Sequence, residues 1–313
     1  MIITIIKFVC FLSYNNVMEI FNEFNYNPKI ALALGFFDGV HLGHMRVIKS
    51  AVDFAMQHNT KSAVITFKEH PCCIFYDVEP SYILKDSERR KQIANLGVDY
   101  LYEVDFKALK DLTAKEYLES ILIKNFEPVS ISTGFNHYFG SNKTGNPEFL
   151  EENQEKYNYK YIKIEPQYIK DKLISSTYIR ECLKNGDIQE VNLFLGRTFE
   201  ISGKVVHGQH LGEKLGFKTA NVEYPENLIK MPFGAYKVTV NNQYNAVLNF
   251  GVKPTVADIR KPILEAHILD FDRDIYGETI SIQFKDFIRP EKKFNSEDEL
   301  KEQIKRDIEK CTE

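Results

Sequence analysis

His41 and His44 stand three residues apart in the run Leu34-Gly35-Phe36-Phe37-Asp38-Gly39-Val40-His41-Leu42-Gly43-His44, with Gly35, Gly39 and Gly43 spaced every four residues. Imidazole N–H groups donate to phosphate oxygens and carry charge when protonated. The run follows an apolar stretch, 30–34, that reads as a buried strand. It precedes 45–58, which reads as a helix with Val47, Ile48, Ala51, Phe54 and Ala55 on one face. A strand-to-helix turn points free backbone N–H groups at an anion, and phosphate is the usual guest. Nucleotide chemistry is therefore the first expectation. The glycine spacing is neither the dinucleotide fingerprint nor a P-loop, and no third ligand stands at zinc-like spacing. From these residues alone, a tight turn with a core-facing histidine stays open.

Further segments follow other apolar runs. Strands are expected at 62–67, 100–104, 129–133 and 160–164. Lys68-Glu69-His70-Pro71 follows the first of these, and Gly134-Phe135-Asn136-His137-Tyr138-Phe139-Gly140 follows the third. Helices are expected over 86–96 with Gly97 as cap, from the Thr113–Glu116 capping box, and from Asn146-Pro147. Late in this half, Ser175-Ser176-Thr177 opens a helix carrying Arg180 and ending at Asn185-Gly186. Those hydroxyls could simply cap the helix, leaving Arg180 a surface charge. Alternation of strand and helix predicts a parallel, doubly wound sheet, with ligands beyond the carboxyl ends of its strands.

Helical period fades after about residue 195. The runs 199–206, 235–240, 244–250, 264–270 and 279–288 are rich in β-branched and aromatic residues, with turn signals at Asn241-Asn242 and Tyr276-Gly277. An antiparallel barrel or sandwich is expected. A last helix, 296–309, would dock through Leu300, Ile304 and Ile308. The expected division is 1–17 as an extension or upstream start, 18–187 as one domain and 188–313 as the other.

The composition fits a globular protein, with 43% hydrophobic and 27% charged residues. A net charge of −4 gives no argument for a nucleic acid or an anionic membrane. Five cysteines, odd in number and without CxxC spacing, fit a reduced, cytoplasmic setting. Residues 1–12 are apolar but too short to span a bilayer, and they lack a signal peptide's basic start and cleavage site.

HLGH on a strand–helix turn with a late SSTxIR resembles the HxGH nucleotidyltransferases. More narrowly, the chain from about Ile30 onward resembles the bacterial bifunctional riboflavin kinase/FAD synthetase family, through GxFDGVHLGH, Thr66-Phe67 with His70-Pro71, the GFxxxFG loop and SSTxIR. In the second half, Gly203-Lys204-Val205-Val206-His207-Gly208, Leu215 to Asn221, Gly234-Ala235-Tyr236, Asn249-Phe250-Gly251 and Leu264 to Phe271 are similar to the kinase pattern. The resemblance implies a Rossmann-like adenylyltransferase domain followed by a β-barrel kinase with a terminal helix. It implies FMN made from riboflavin and ATP, and FAD made from FMN and ATP. Retention of the kinase alone, or a non-catalytic flavin-binding role, are the alternatives. His41, His44, Arg180 and Glu265 would be catalytic, Glu265 as the base for the riboflavin hydroxyl. Gly35, Phe37, Asp38, Gly39, Gly43, Ser175, Ser176, Thr177, Gly203, His207, Gly208 and Gly216 would surround ATP phosphates. Asn136, His137, Tyr138 and Phe139 would meet the flavin. Thr219 and Asn221 offer hard, neutral oxygens suited to Mg2+.

Departures from the family pattern fall inside these motifs. Phe36 replaces Asn, Lys68-Glu69 replaces Glu-Pro, and Asn136-His137-Tyr138 replaces Asp-Phe-Arg. Glu213-Lys214 replaces an Arg-led pair, Lys218 replaces Pro and Val252 replaces Thr.

Overall fold

The computed structural model describes residues 17–76, 78–207, 217–254 and 260–312. The expected extension 1–17 lies almost wholly outside them, as do Gly208, Glu213, Lys214 and Gly216.

Six strands form a parallel sheet: β1 (Glu19–Phe21), β2 (Ile30–Leu34), β3 (Lys61–Phe67), β4 (Tyr100–Val104), β5 (Ser130–Gly134) and β6 (Lys160–Ile164), in the order β1-β4-β3-β2-β5-β6. From β2 the chain steps outward through β3 to β4, then resumes at β5 on β2's other side. The crevice at that reversal is where open parallel sheets take ligands. β2 is buried along its whole length because helices or helical turns cover both faces.

α1 (Leu42–Gln57) lays Val47, Ile48, Ala51, Val52 and Ala55 on the sheet. It begins three residues before its apolar periodicity does, because His41 caps it. α2 (Pro71–Tyr76) is an unexpected short helix, and α3 (Asp86–Ala94) ends before Gly97, which takes a left-handed turn at φ 85°. α4 (Ala114–Glu116) opens on the expected capping box and runs through a π-wound stretch, Tyr117–Ile123, into α5 (Lys124–Phe126). α6 (Pro147–Tyr157) has Asn146 as its cap. A small hairpin, β7 (Tyr168–Ile169) and β8 (Lys172–Leu173), precedes α7 (Ser176–Asn185) and α8 (Ile188–Leu195).

The second half is a closed barrel, and the sandwich alternative falls away. Its strands are β9 (Phe199–Val206), β10 (Ala220–Glu223), β11 (Gly234–Val240), β12 (Tyr244–Pro254), β13 (Arg260–Ile268) and β14 (Thr279–Pro290), ordered β10-β13-β12-β11-β14-β9 with antiparallel neighbours. α9 (Glu297–Thr312) packs on β12 and β11, where buried Asp307 accepts from Arg289 at 2.7–3.1 Å.

The halves meet closely. α8 packs on α7 of the first half as well as on β9 and β14 of its own. Ser81 to Leu84 forms a strap between them: Tyr82 N–H donates to Asn227 O at 2.9 Å, and Ile229 N–H donates to Tyr82 O at 2.8 Å.

Candidate functional sites

The turn after β2 is wound through left-handed backbone, with φ of 59° at Phe37, 81° at Gly39 and 39° at Val40. A β-branched residue at positive φ is unusual and is held only by its surroundings. Asp38, 3% exposed, pins the turn: its carboxylate accepts from Ile83 N–H at 3.0 and 3.1 Å, Leu84 N–H at 3.4 Å, and the Arg180 guanidinium. These bonds take up its acceptor sites, so Asp38 orients the turn. Burial pushes its carboxyl up from the ordinary range, against the pull of Arg180 and the strap N–H groups.

His41 caps α1 by accepting from His44 N–H through Nδ1 at 3.2 Å. That bond fixes the tautomer and leaves the proton on Nε2. The two rings stack at 3.5 Å, and a Cβ on Gly43 would come within 3.2 Å of the His41 ring. Neither α1 nor α7 carries an acidic residue in its first turn, so both positive helix ends stay uncompensated. Burial, with the charge of Arg197 and then Arg180, pushes His41 down to about 3. Burial, His41 and the same arginines push His44 well below its ordinary value. Both imidazoles are thus held as neutral hydrogen-bonding groups. His44 Nδ1 is buried without a hydrogen-bond partner among the described residues.

A cavity of about 280 Å³ opens at this turn. Phe36 to Asp38 with His41, Gly43 and His44 supply one wall, His70 enters from the end of β3, Gly134 to Asn136 from β5, Glu165 to Gln167 from β6, and Ser175 to Thr177 with Arg180 from α7. Ser175 caps α7 by accepting from Tyr178 N–H at 3.3 Å, and Ser176 Oγ donates to Asp38 O at 2.9 Å. Arg180 Nε also donates to Ser81 O at 2.9 Å, so it is a residue of the cleft and not a surface charge.

Of the loop residues expected near flavin, only Asn136 lines this cavity. His137 is half-buried, its Nε2 enclosed and without a hydrogen-bond partner among the described residues, and its ring lies 5.7 Å from Phe139. Phe139 packs on Tyr117 and Phe149, and Tyr138 is exposed. Sequence reasoning left His70 and Arg197 out of the site. His70 follows a strand end, a positional signal; burial and the charges of Arg180 and Arg89 push it down to about 4. Phe36, where the family has Asn, lies 4.6 Å from the His70 ring with the Arg89 guanidinium over its face at 4.6 Å. Arg89 in turn pairs with buried Glu103 at 3.1 Å.

A second cavity, of about 390 Å³, sits in the barrel wall. Val205, Ala220, Ala266 and Ile268 make its apolar side, and Thr219, Asn221, Asp272, Asp274 and Tyr276 are among its polar lining. β10, unmarked as a strand by its sequence pattern, carries Asn221 into register with Glu265 on β13, which is also opposite Asn249 on β12. Asn249 Nδ2 donates to Glu265 Oε2 at 3.4 Å. Glu265 does not line the cavity; it shares this polar row beside it. His207 stacks on Tyr276 at 4.3 Å. Gly203 lies mid-strand opposite Ile280, and a Cβ there would come within 2.3 Å of Val222 Cγ1, so barrel packing accounts for this glycine.

A parallel sheet with a histidine-bearing turn at a cleft, joined to a barrel with its own polar cleft, is the architecture of a two-module nucleotide-dependent transferase. The FAD synthetase family model matches residues 23–178, and the riboflavin kinase model matches 195–313. A Bacillus subtilis bifunctional riboflavin kinase/FMN adenylyltransferase is 37% identical over 89% of this chain and 90% of its own. The enzyme of that description from Escherichia coli K12 is 33% identical over 88% and 90%. A solved structure described as a macrolide-efflux protein of Streptococcus pneumoniae superposes with a TM-score of 0.84 at 31% identity, covering 94% of this chain and 99% of that one. The chain belongs to the bifunctional riboflavin kinase/FMN adenylyltransferase family.

Proposed function

We infer that this protein phosphorylates riboflavin to FMN with ATP and transfers AMP from a second ATP to FMN, giving FAD and pyrophosphate. The observation that carries the second activity is the convergence of segments after β2, β3, β5 and β6 with the start of α7 on one cleft. An FMN phosphate oxygen attacks the α-phosphorus and pyrophosphate leaves, so the protein need only position and neutralise. His41 donates from Nε2 to the ATP phosphates, with His44 beside it and the N–H groups of α1 behind both. Ser175, Ser176, Thr177 and Arg180 act from α7, and Asn136 faces the flavin side. Gly35, Phe37, Gly39 and Gly43 shape the turn itself.

In the barrel, the riboflavin 5′-hydroxyl attacks the γ-phosphorus while Glu265 takes its proton. Asn249 orients that carboxylate. The residues present fit Mg2+ entering with its nucleotide: Thr219 and Asn221 supply neutral oxygens, and no group of three His, Cys, Asp or Glu among the described residues forms a cage of its own. The cation would neutralise phosphate charge. His207 would meet the nucleotide beside Tyr276.

We assign 18–187 to the adenylyltransferase and 188–313 to the kinase, in keeping with the two matched ranges. A cytoplasmic location accords with Cys72, Cys73, Cys182 and Cys311 as free thiols. No helix of the described residues is long and apolar enough to cross a membrane.

Incubation with riboflavin, ATP and Mg2+, followed by chromatography, tests the reading. FMN and FAD both form in the wild type. Glu265→Gln stops FMN formation yet still converts added FMN to FAD, and His44→Ala does the reverse. Loss of both activities in either folded variant would refute the two-site assignment.

A further inference from the structure

Arg197 lies outside the range matched to FAD synthetase and inside the range matched to riboflavin kinase. Its guanidinium nevertheless reaches the adenylyl-transfer turn. Nη2 donates to Gly39 O at 2.6 Å, while Nη1 donates to Val40 O at 2.8 Å and Leu195 O at 3.3 Å. Gly39 and Val40 are the two left-handed residues immediately before His41. A rigid, charged fork suits successive carbonyls in a way that a single donor does not. The neighbour of Arg197 closes the same seam. Gly196 caps α8 at φ 68°, and a Cβ there would lie 2.4 Å from Cδ2 of Leu42, the first residue of α1.

We propose that Arg197, carried by the kinase half, is a positioning residue for adenylyl transfer, holding the strained turn that presents His41 and His44. The proposal rests on assigning adenylyl transfer to that turn. Arg197 is absent from the lining of both cavities, so it acts through the backbone it holds. It also contributes charge. Its cation is one of the groups that keep His41 and His44 neutral, together with Arg180 on α7. Asp38, His70 and Glu165 share the adenylyl-transfer cleft, and Glu200 on β9 faces Arg197 from the barrel.

The test compares full-length Arg197→Gln and Arg197→Lys with the wild type, measuring both activities on each preparation. In Arg197→Gln, kcat for FAD from added FMN falls on the order of 10–100-fold, as for the net loss of one charge-assisted bond. KM for FMN changes little, and FMN formation from riboflavin persists. The acid limb of kcat/KM for FAD formation moves to higher pH, because the histidines protonate more readily without the cation. Arg197→Lys keeps the charge, so its acid limb stays in place while kcat recovers only in part. FAD formation at the wild-type rate in Arg197→Gln would overturn the proposal. So would equal loss of both activities, which marks a general support of the fold. A His44→Ala control separates the two layers: intact FAD formation there would remove the site assignment, and this proposal with it.

Discussion

Asp38→Asn preserves shape and removes one charge from the most connected carboxylate of the cleft. The wild-type side chain accepts two strap N–H groups and the Arg180 guanidinium. An amide has one oxygen, so its NH2 must face another donor. Breaking a buried pair costs about 3–5 kcal/mol. Asp38 is 3% exposed but the Arg180 side chain is 24% exposed, and solvent screening brings the figure to about 2–3 kcal/mol. At roughly 2–4 °C per kcal/mol for a module of this size, the first thermal transition falls by roughly 4–12 °C. Arg180 loses its anchor, and FAD formation drops about 10–100-fold while FMN formation continues. Calorimetry and coupled assays on Asp38→Asn, Arg180→Ala and the double variant complete a cycle with a coupling of about 1–3 kcal/mol. Strict additivity, or an unshifted transition in Asp38→Asn, would show that the pair does not hold the turn.

Two histidines, His41 buried and His70 half-buried, make acid stability a second measure. His41 titrates at about 3 and His70 at about 4 in the fold, against 6.5 as ordinary imidazoles. The unfolded chain therefore binds more protons below pH 6.5, and this contribution to stability, complete above that value, is lost as pH falls toward 3. Thermal midpoints between pH 6.5 and 5 decline in the wild type and decline less in a His41→Asn/His70→Asn variant; equal slopes would contradict this. Gly203→Ala overpacks the barrel against Val222 and lowers its stability by about 1–3 kcal/mol without raising KM for ATP. A stable variant with a raised KM would instead return Gly203 to the phosphate site.

Local signals were legible wherever the physics is local. The Thr113–Glu116 capping box, the Asn146 cap and the β-branched and aromatic runs of the barrel all map onto observed elements. The turn around His41 and the helix carrying Arg180 were legible as elements meeting at one cleft because strand ends and helix starts are marked in sequence. Three-residue β1 and four-residue β10 are too short for periodicity to declare them. His70 and Arg197 earn their places through tertiary contacts with residues far away in the chain. The loop 136–139 divides for a related reason: aromatic residues suit both a ligand platform and a core, and while Asn136 lines the cleft, Phe139 packs on Tyr117 and Phe149.

The strap at Tyr82 bears on how such a chain is inherited. Its backbone satisfies the barrel on one edge, through Asn227 and Ile229, and Asp38 on the other, through Ile83 and Leu84. A gene split between the modules would leave those barrel-facing groups to water and loosen the neighbouring carboxylate's grip. The two halves are therefore joined by main-chain hydrogen bonds as well as by the peptide that links them.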